Sequence, residues 1–513
     1  MHRPWIGSLA TAVLLAAALC ASPLRGAAGL GPITRAHAED LWAKLPAEDP
    51  WVKTPDGSTL AWGESHLLHA LVDLYEATDD AKFLTEVARR GDRLLTHRDD
   101  RRGVVDGSGQ SRPAWSMASK YVVADGWIVD PTGQRLVALR STASAYNNLT
   151  RVTLAPVGGE KRGRFSLTIT NAQFKREETF AEVSLDPADD RFVEKIVNAV
   201  VPTHSARPGK VSQYSNLVRV TVTPGARGVP GPQTFSLKPI PLAYMGYLGV
   251  IYHPMLRFAE IVRSDPRHAS LVPAADRFVV AAEESYADAN RRLWREGPGK
   301  DEGYYLCCAR GESFPFDNVG EPFNYLGRHT ASQLALVRLT GKPEYRERAE
   351  RMARLFKNRL KLDATRDLYT WNYWYEPVTT TGWTPANSPS LNIPNYPPVA
   401  AVEDISHGVL DIAMVVSAHA AGVVFDETDV RRCANTLLTH VLNPTRTSVR
   451  RRVDGQGPDY PNYLPALAGW LALSDGNPEV YREIRRTAEA AAPRDFFLLA
   501  ALLKWERRLT PRP

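Results

Sequence analysis

Apolar residues along the chain recur at helical spacing in paired segments. The first pair follows Trp62-Gly63-Glu64-Ser65: an apolar segment ends at a turn of Thr78-Asp79-Asp80, and an amphipathic segment runs on to about Leu95. The second pair begins at Glu321-Pro322-Phe323-Asn324-Tyr325. Weaker copies occupy residues 244–294, 403–442 and 462–490, and one more helical pattern covers residues 496–507. This periodicity predicts a series of helical hairpins.

The two helices of each predicted hairpin differ in polarity. The first is apolar on nearly all sides, whereas the second carries charges such as Arg346, Glu347 and Arg351. This difference predicts an inner and an outer layer of helices. Repeated helix pairs stack as an open solenoid or close into a ring, because each pair needs neighbours to bury its apolar face. We favour the ring, so the predicted fold class is mainly α, an (α/α) toroid of helical hairpins.

A different pattern interrupts the hairpins between about residues 116 and 240. Short β-type runs alternate there with turn residues such as Thr223-Pro224-Gly225, which predicts an inserted β-sandwich-like domain. It could be a carbohydrate-binding module, a lid or a scaffold. The predicted organisation is a signal peptide and linker over residues 1–38, the first hairpin over 39–115, the β-rich insertion over 116–240, and the remaining hairpins over 241–513.

The N-terminal residues are typical of a secretory signal peptide. His2 and Arg3 precede an apolar stretch over residues 6–21, which is too short and alanine-rich for a membrane span and is followed by small residues. We therefore expect a secreted or periplasmic protein with no stable membrane span after cleavage. Without residues 1–38, 60 basic residues face 57 acidic ones, so the charge gives no indication of a nucleic-acid partner.

Cysteine usage indicates neither a zinc site nor a disulfide scaffold. After signal removal only Cys307, Cys308 and Cys433 remain, so an oxidising compartment would give at most one bridge to Cys433. The alternative is buried free thiols.

The run from Glu403 to Gly408 combines carboxylates, a hydroxyl and an imidazole where a helix is predicted to begin. At helical spacing His407 shares a face with Glu403 and Asp411, so a carboxylate could orient one ring nitrogen and leave the other for chemistry. The alternative is a helix N-cap beside a hydrogen-bonded histidine. A metal site of Glu403, His407 and Asp411 fits the spacing, but only one imidazole is present, and we predict no metal and no cofactor.

Other polar residues precede the predicted inner helices in the same way. Glu64 lies before the first, Glu321 to Tyr325 before the second, and Tyr460 to Tyr463 before the last pair. If the helices close into a ring, these entrances meet at one end. His66 and His69, on the first inner helix, are interpreted as packed, hydrogen-bonded histidines.

Two long segments without helical period, residues 301–320 and 369–398, are rich in aromatic and polar residues. Long loops of this kind are more often functional than not. Aromatic rings stack on sugars, so the second loop offers a subsite lining, and its candidates are Trp371, Tyr373, Trp374, Tyr375 and Trp383. The alternative is that several of these rings pack in the core.

The hairpin pattern, the Trp62-Gly63-Glu64 entrance, the Pro322-to-Tyr325 entrance and the Glu403-to-Gly408 run resemble the (α/α)-toroid carbohydrate enzymes. These are the six-hairpin glycosidase superfamily, the toroidal polysaccharide lyases and the glucuronyl C5-epimerases. The likeness covers roughly residues 50–100 and 244–507 and is architectural. The Asn-Asn-His motif of the toroidal alginate lyases is absent from the sequence, so no catalytic residue is carried across. The resemblance implies an oligo- or polysaccharide substrate.

Two chemistries fit these residues. Hydrolysis needs two carboxylates on opposite sides of the scissile bond. Lyase or epimerase chemistry on a uronic acid needs a base for the C5 proton and groups that neutralise the substrate carboxylate. We favour the second, with hydrolysis and a non-catalytic carbohydrate- or protein-binding role as alternatives. The candidate catalytic residues are His407, Glu403, Asp404, Glu321 and Tyr325, and the other candidate binding residues are Glu64, Asp317, Asn324 and Arg328.

Overall fold

The structure is a computed structural model that describes residues 34–43, 56–143, 145–158, 163–199, 214–226, 228, 230–491 and 495–510. Of the predicted signal peptide and linker at residues 1–38, residues 1–33 lie outside this range. None of the described helices is long and apolar enough to cross a membrane.

Most of the described chain outside residues 116–243 is helical. The helices are α1 (Arg35–Ala43), α2 (Ser65–Thr78), α3 (Ala81–Thr96), α4 (Asp99–Arg102), α5 (Val193–Val197), α6 (Gly246–Ser264), α7 (Val272–Leu293), α8 (Phe323–Thr340), α9 (Pro343–Lys357), α10 (Ile405–Ala420), α11 (Glu427–Thr436), α12 (Leu467–Trp470), α13 (Pro478–Ala491) and α14 (Phe496–Leu509). Shorter turns are a helix at Gly57–Thr59, π-helical turns at Leu60–Glu64 and Leu437–Val441, and 3-10 turns at Asn147–Leu149, Pro266–Leu271, Pro461–Ala466 and Leu471–Asp475.

Six of these helices contact one another in a closed cycle. Helix α2 packs on α6, α6 on α8, α8 on α10, α10 on α12, α12 on α14, and α14 on α2. Helices α7, α11 and α13 each pack on one member of this cycle, and α3 and α9 each pack on two. The helices of the cycle have apolar side chains on most faces because neighbouring helices pack on several sides of them. In α8, for example, residues 323–336 are all buried. At Gly327 a side chain would overlap the backbone carbonyl of Leu410, so glycine permits the close approach of α8 and α10.

The strands form five sheets. Their bounds are β1 (Ser116–Met117), β2 (Ala124–Val129), β3 (Arg135–Ser141), β4 (Thr150–Pro156), β5 (Phe165–Asn171), β6 (Arg176–Val183), β7 (Val218–Val222), β8 (Gln233–Ser236), β9 (Lys238–Pro239), β10 (Leu242–Ala243), β11 (Trp294–Glu296), β12 (Gly303–Tyr305), β13 (Lys361–Asp363) and β14 (Leu368–Thr370). Two sheets are four-stranded, in the orders β7-β3-β2-β9 and β6-β5-β4-β8, and their strand pairs are antiparallel.

The two four-stranded sheets enclose a hydrophobic cluster of their own, formed by residues between Ala124 and Leu237. The strands alternate, as in β5, where every second side chain is buried. The strand β1 pairs with β10 where the chain enters and leaves this region. Arg140 connects the region to the helical part, because its Nε donates to Asn392 Oδ1 at 2.8 Å and its guanidinium donates to the Gly311 carbonyl at 3.0 Å.

The predicted fold class, a mainly α (α/α) toroid with a β-sandwich-like insertion, is wrong. The described residues are 48% helix and 17% strand with five sheets, a mixed α and β fold. Strands are not confined to one insertion: β11 pairs with β12 after α7, and β13 pairs with β14 after α9. These three-residue strands are too short to show an alternating pattern, which is why the sequence did not reveal them.

Candidate active site

Asp404 and His407 form a hydrogen-bonded pair at the start of α10. Asp404 is the N-cap residue: its Oδ1 accepts the backbone N–H groups of Ser406 at 2.9 Å and His407 at 3.1 Å. Its Oδ2 lies 2.7 Å from Nδ1 of His407. The cap and the carboxylate that orients the imidazole are therefore the same residue.

The charges of this pair reinforce each other. Burial opposes ionisation of Asp404, but the charge of His407 and the hydrogen bonds that Asp404 accepts outweigh burial and hold its pKa at about 2. Burial alone would lower the pKa of His407, but the Asp404 carboxylate raises it above its ordinary value. In the described structure Nε2 of His407 has no hydrogen-bond partner, so it is the nitrogen left to exchange a proton with a ligand.

Aromatic side chains surround the His407 ring. Trp62 meets it edge-on with ring centroids 5.8 Å apart, and Tyr373 meets it at 5.4 Å. Tyr325 also packs on Trp62, with ring centroids 5.9 Å apart. Burial raises the pKa of both tyrosine hydroxyls well above the ordinary value, so both keep their protons at neutral pH. These groups can donate a proton but are poor bases.

A buried carboxyl pair, Glu403 and Asp411, supports the start of α10. Glu403 Oε1 accepts the backbone N–H of Asp404 at 2.9 Å, and Trp371 Nε1 donates to Asp411 Oδ2 at 2.7 Å. Burial and the charge of Asp411 raise the pKa of Glu403, and burial raises the pKa of Asp411 to about 8. The two groups hold protons at neutral pH, and both are fully buried.

The remaining predicted carboxylates are also enclosed by protein. Glu321 is fully buried, accepts the Tyr244 hydroxyl at 2.7 Å, and has its pKa raised by burial to about 8. Asp317 organises two loops through the backbone N–H groups of Gly311, Leu391 and Asn392. Glu64 forms an ion pair with Arg90 at 3.0 Å.

The structure places Asn324 beside these groups at the start of α8. It is fully buried, and neither its amide oxygen nor its nitrogen has a hydrogen-bond partner among the described residues.

Four of the predicted sugar-stacking rings are buried in the loop that carries them. Trp371 is 1% exposed, Trp374 donates to the Gly320 carbonyl at 2.8 Å, and Trp383 donates to the Ile393 carbonyl at 2.7 Å. Tyr375 packs on Phe323 at 5.0 Å. Trp371 and Tyr375 connect residues 369–398 to α10 and α8, Trp374 connects them to the loop before α8, and Trp383 bonds within its own loop. Tyr373, by contrast, is partly exposed.

A cavity of about 720 Å³, here called the central cavity, lies inside the cycle of six helices. Trp62, Ser406 and Tyr463 line one end of it, next to His407. Apolar residues such as Val409 and Phe497 line its walls. A group of charged and imidazole side chains lines another part of it: His66, His69, Asp73, His253, Arg257, Arg328 and Lys504.

Of these seven residues, only Arg328 was predicted from the sequence as a candidate site residue. His66 and His69 do hydrogen-bond, but both also line the cavity. The sequence does contain a signal for this group. Lys504 follows the apolar run FFLLAALL, and Arg257 lies in a largely apolar helix. Lone charges inside apolar helices indicate either a buried ion pair or a cavity.

Glu403, Asp404 and His407 also present ligand atoms within 4.8 Å of one another, a spacing compatible with a metal ion. However, Asp404 Oδ2 and His407 Nδ1 are bonded to each other, and Asp404 Oδ1 caps the helix. A metal would have to displace these hydrogen bonds. The three cysteines Cys307, Cys308 and Cys433 are buried free thiols.

Comparison with protein-family models gave no match, and comparison with curated proteins gave none either. The resemblance to carbohydrate enzymes therefore stays a prediction, and the function is argued from the site.

Proposed function

We propose that this protein is a carbohydrate-active enzyme that removes the C5 proton of a uronic acid unit in an oligo- or polysaccharide, as a lyase or an epimerase. The observation that carries the proposal is the Asp404–His407 pair beside the central cavity. Asp404 fixes the Nδ1 proton of His407, and Nε2 is left for the substrate. Trp62 and Tyr373 next to this ring offer apolar faces for a sugar.

In the proposed reaction His407 acts as the base. Its Nε2 takes the C5 proton, the electrons of the C5–H bond move into the substrate carboxylate, and Asp404 stabilises the imidazolium that forms. Tyr325 or Tyr373 then supplies a proton. Protonation of C5 from the opposite face completes an epimerisation. Protonation of the C4 oxygen, with cleavage of the C4–O bond and formation of a C4–C5 double bond, completes an elimination.

The positions of the carboxyl groups favour this chemistry over hydrolysis. A glycoside hydrolase needs two carboxyl groups facing the scissile bond, about 5 to 9.5 Å apart. Glu321, Glu403 and Asp317 are all fully buried. They are bound to protein groups and do not line the central cavity. Glu64 does line the cavity, but it is paired with Arg90. His407 is not part of the lining itself, but it adjoins Ser406 and contacts Trp62, which both line the cavity, and its Nε2 has no described partner. We therefore favour the imidazole as the reacting group.

The test is to incubate the protein with uronate-containing and neutral polysaccharides and follow three signals. Ultraviolet absorbance of an unsaturated uronate marks a lyase, and solvent deuterium at C5 without cleavage marks an epimerase. Reducing ends without absorbance mark a hydrolase and would overturn the proposal.

His407→Asn should abolish the signal from uronate substrates. The matched control is His419→Asn, an exposed histidine at the other end of the same helix, which should leave the signal unchanged. If the unsubstituted protein gives none of the three signals with any polysaccharide but still binds one of them, the non-catalytic alternative would be favoured.

We also propose that the protein is exported, on the N-terminal sequence pattern alone. Mass spectrometry of the N-terminus of protein recovered from the culture medium or periplasm would test this. An intact N-terminus on protein retained in the cytoplasm would contradict it.

A further inference from the structure

Arg328 differs from the other cations that line the central cavity because no described carboxylate pairs with it. Its side chain is 9% exposed, its Nη1 lies 3.0 Å from Nδ1 of His253, and its Nε is buried without a partner. By contrast, Arg257 and Lys504 both pair with Asp73 and Glu76. The charges of Arg257 and Lys504 are therefore neutralised by the two carboxylates, whereas the positive charge of Arg328 has no described counter-charge.

The hydrogen bonds around Arg328 fix the protonation of two histidines. A guanidinium only donates, so Nδ1 of His253 accepts from Arg328, and Nδ1 of His69 accepts from Arg257 at 3.3 Å. The Nε2 of His69 then carries a proton, and this proton shares the single lone pair on Nδ1 of His253, at 3.3 Å, with the shorter bond from Arg328. Both rings are neutral, and the remaining proton of His253 lies on Nε2, which bonds to no described residue.

His66 completes the group as an acceptor. Its Nδ1 lies 3.0 Å from the Trp62 carbonyl and must donate to it, which leaves a lone pair on Nε2. Burial and the positive charge of Arg328 lower the pKa values of His66, His69 and His253, so all three stay neutral at neutral pH. The histidines thus add no charge to that of Arg328.

An enclosed cation without a counter-charge is costly, because burial removes its hydration and no partner replaces it. The free Nε and Nη2 of Arg328 lie on one edge of the guanidinium, the geometry that binds a carboxylate through two parallel hydrogen bonds. The Nε2–H of His253 is a further donor in the same group.

The position of Arg328 relates it to the candidate active site. Arg328 follows Tyr325 by three residues on α8, and His66 follows Trp62 by four, so both lie about one helical turn, or ~5.4 Å, further along their helices than the rings around His407. One turn is comparable to the advance of a saccharide chain by one sugar.

We propose that Arg328 and His253 form a binding subsite for the carboxylate of a sugar acid, and that this sugar is the neighbour of the one that reacts at His407. The second half of this inference rests on the proposed function. The subsite itself does not, because it follows from the unpaired cation and its free donors. It implies a substrate with consecutive uronic acid units.

Thermal unfolding in sodium glucuronate, with glucose and sodium chloride as controls, tests the subsite. Glucuronate should raise the Tm of the unsubstituted protein and glucose should not. Arg328→Met should remove the glucuronate response. The control Arg338→Met should keep it, because Arg338 lines the same cavity but pairs with Glu260 at 2.6 Å. Equal effects of glucuronate and glucose, or a full response in Arg328→Met, would overturn the subsite.

A second variant provides the test if Arg328→Met does not fold. Arg328→Lys keeps the charge but loses the paired donors, so the glucuronate response should shrink, and an unchanged response would overturn the bidentate site. Activity separates the two proposals. A glucuronate response without turnover of any uronate polymer would refute the proposed function alone. Equal turnover of chains with single and consecutive uronates would refute the neighbouring position.

Discussion

The buried carboxyl group of Glu321 should make the stability of this protein fall with pH, and Glu321→Gln should remove that part of the dependence. Its side chain is fully buried, and burial raises its pKa from 4.5 to about 8. Between these values the folded state holds a proton that the unfolded chain has released. The contribution of Glu321 is therefore greatest below pH 4.5 and is lost as pH rises towards 8.

The size of the effect follows from the shift. Each pH unit between the two pKa values removes about 1.4 kcal/mol from the free energy of unfolding, or roughly 4 kcal/mol between pH 5 and pH 8 as an upper figure. Glutamine cannot ionise, so the variant lacks this loss. A buried amide costs about 1 to 3 kcal/mol if its donors find no partner, but that cost is the same at every pH. The informative quantity is the slope against pH.

Urea unfolding at pH 5, 6, 7 and 8 measures this slope. The stability of Glu321→Gln relative to the unsubstituted protein should rise steadily across the series. The exposed Glu427→Gln should show no such trend. Parallel curves for the Glu321 variant and the unsubstituted protein would refute the reasoning, because they would mean that Glu321 ionises as easily in the folded state as in the unfolded chain.

Four further outcomes are expected. Asp404→Asn should lower kcat and shift the acidic limb of the pH profile of kcat/KM to lower pH. The reason is that Asp404 raises the pKa of His407, which must be neutral to act as a base. An acidic limb at the same pH in the variant would contradict this. His407→Asn should lower kcat about 10²- to 10⁴-fold in steady-state assays, and a smaller loss would exclude it as the base. Treatment with EDTA should leave activity unchanged, since the Asp404–His407 hydrogen bond occupies the candidate metal ligands, and a loss restored by a divalent metal would refute that. Gly327→Ala should lower the free energy of unfolding by roughly 1 to 3 kcal/mol in urea, because its Cβ would overlap the Leu410 carbonyl, whereas Gly63→Ala meets no atom within 4 Å and should not.

Local sequence signals located the first helical hairpin well. The structure has helices at Ser65–Thr78 and Ala81–Thr96, with Asp79 in the left-handed region at φ 62° and Asp80 as the N-cap of the second helix. Both residues favour these conformations through their short side chains, so the turn is readable from the chain alone. The same holds for the cap at Asp404.

The fold class and the burial of particular rings depend on contacts between distant residues. The aromatic loop looked suitable for stacking on sugars, yet Trp374 is buried through a bond to Gly320. The spacing of residues in the sequence also cannot show that Arg328 has no carboxylate partner among the described residues, whereas Arg257 pairs with two carboxylates. Pairing across separate helices decides that difference.

The hydrogen bond from Trp371 to Asp411 has a mechanical consequence. Together with the backbone bonds from Glu403 N–H to the Trp371 carbonyl, at 3.1 Å, and from Tyr373 N–H to the Ala401 carbonyl, at 2.8 Å, it fastens the aromatic loop to the start of α10. Tyr373 and His407 therefore belong to a single stiff unit, and a shift of the loop would carry the imidazole with it. Exchanging this loop to alter substrate preference would disturb the base as well, so redesign should begin on the opposite wall, at Trp62.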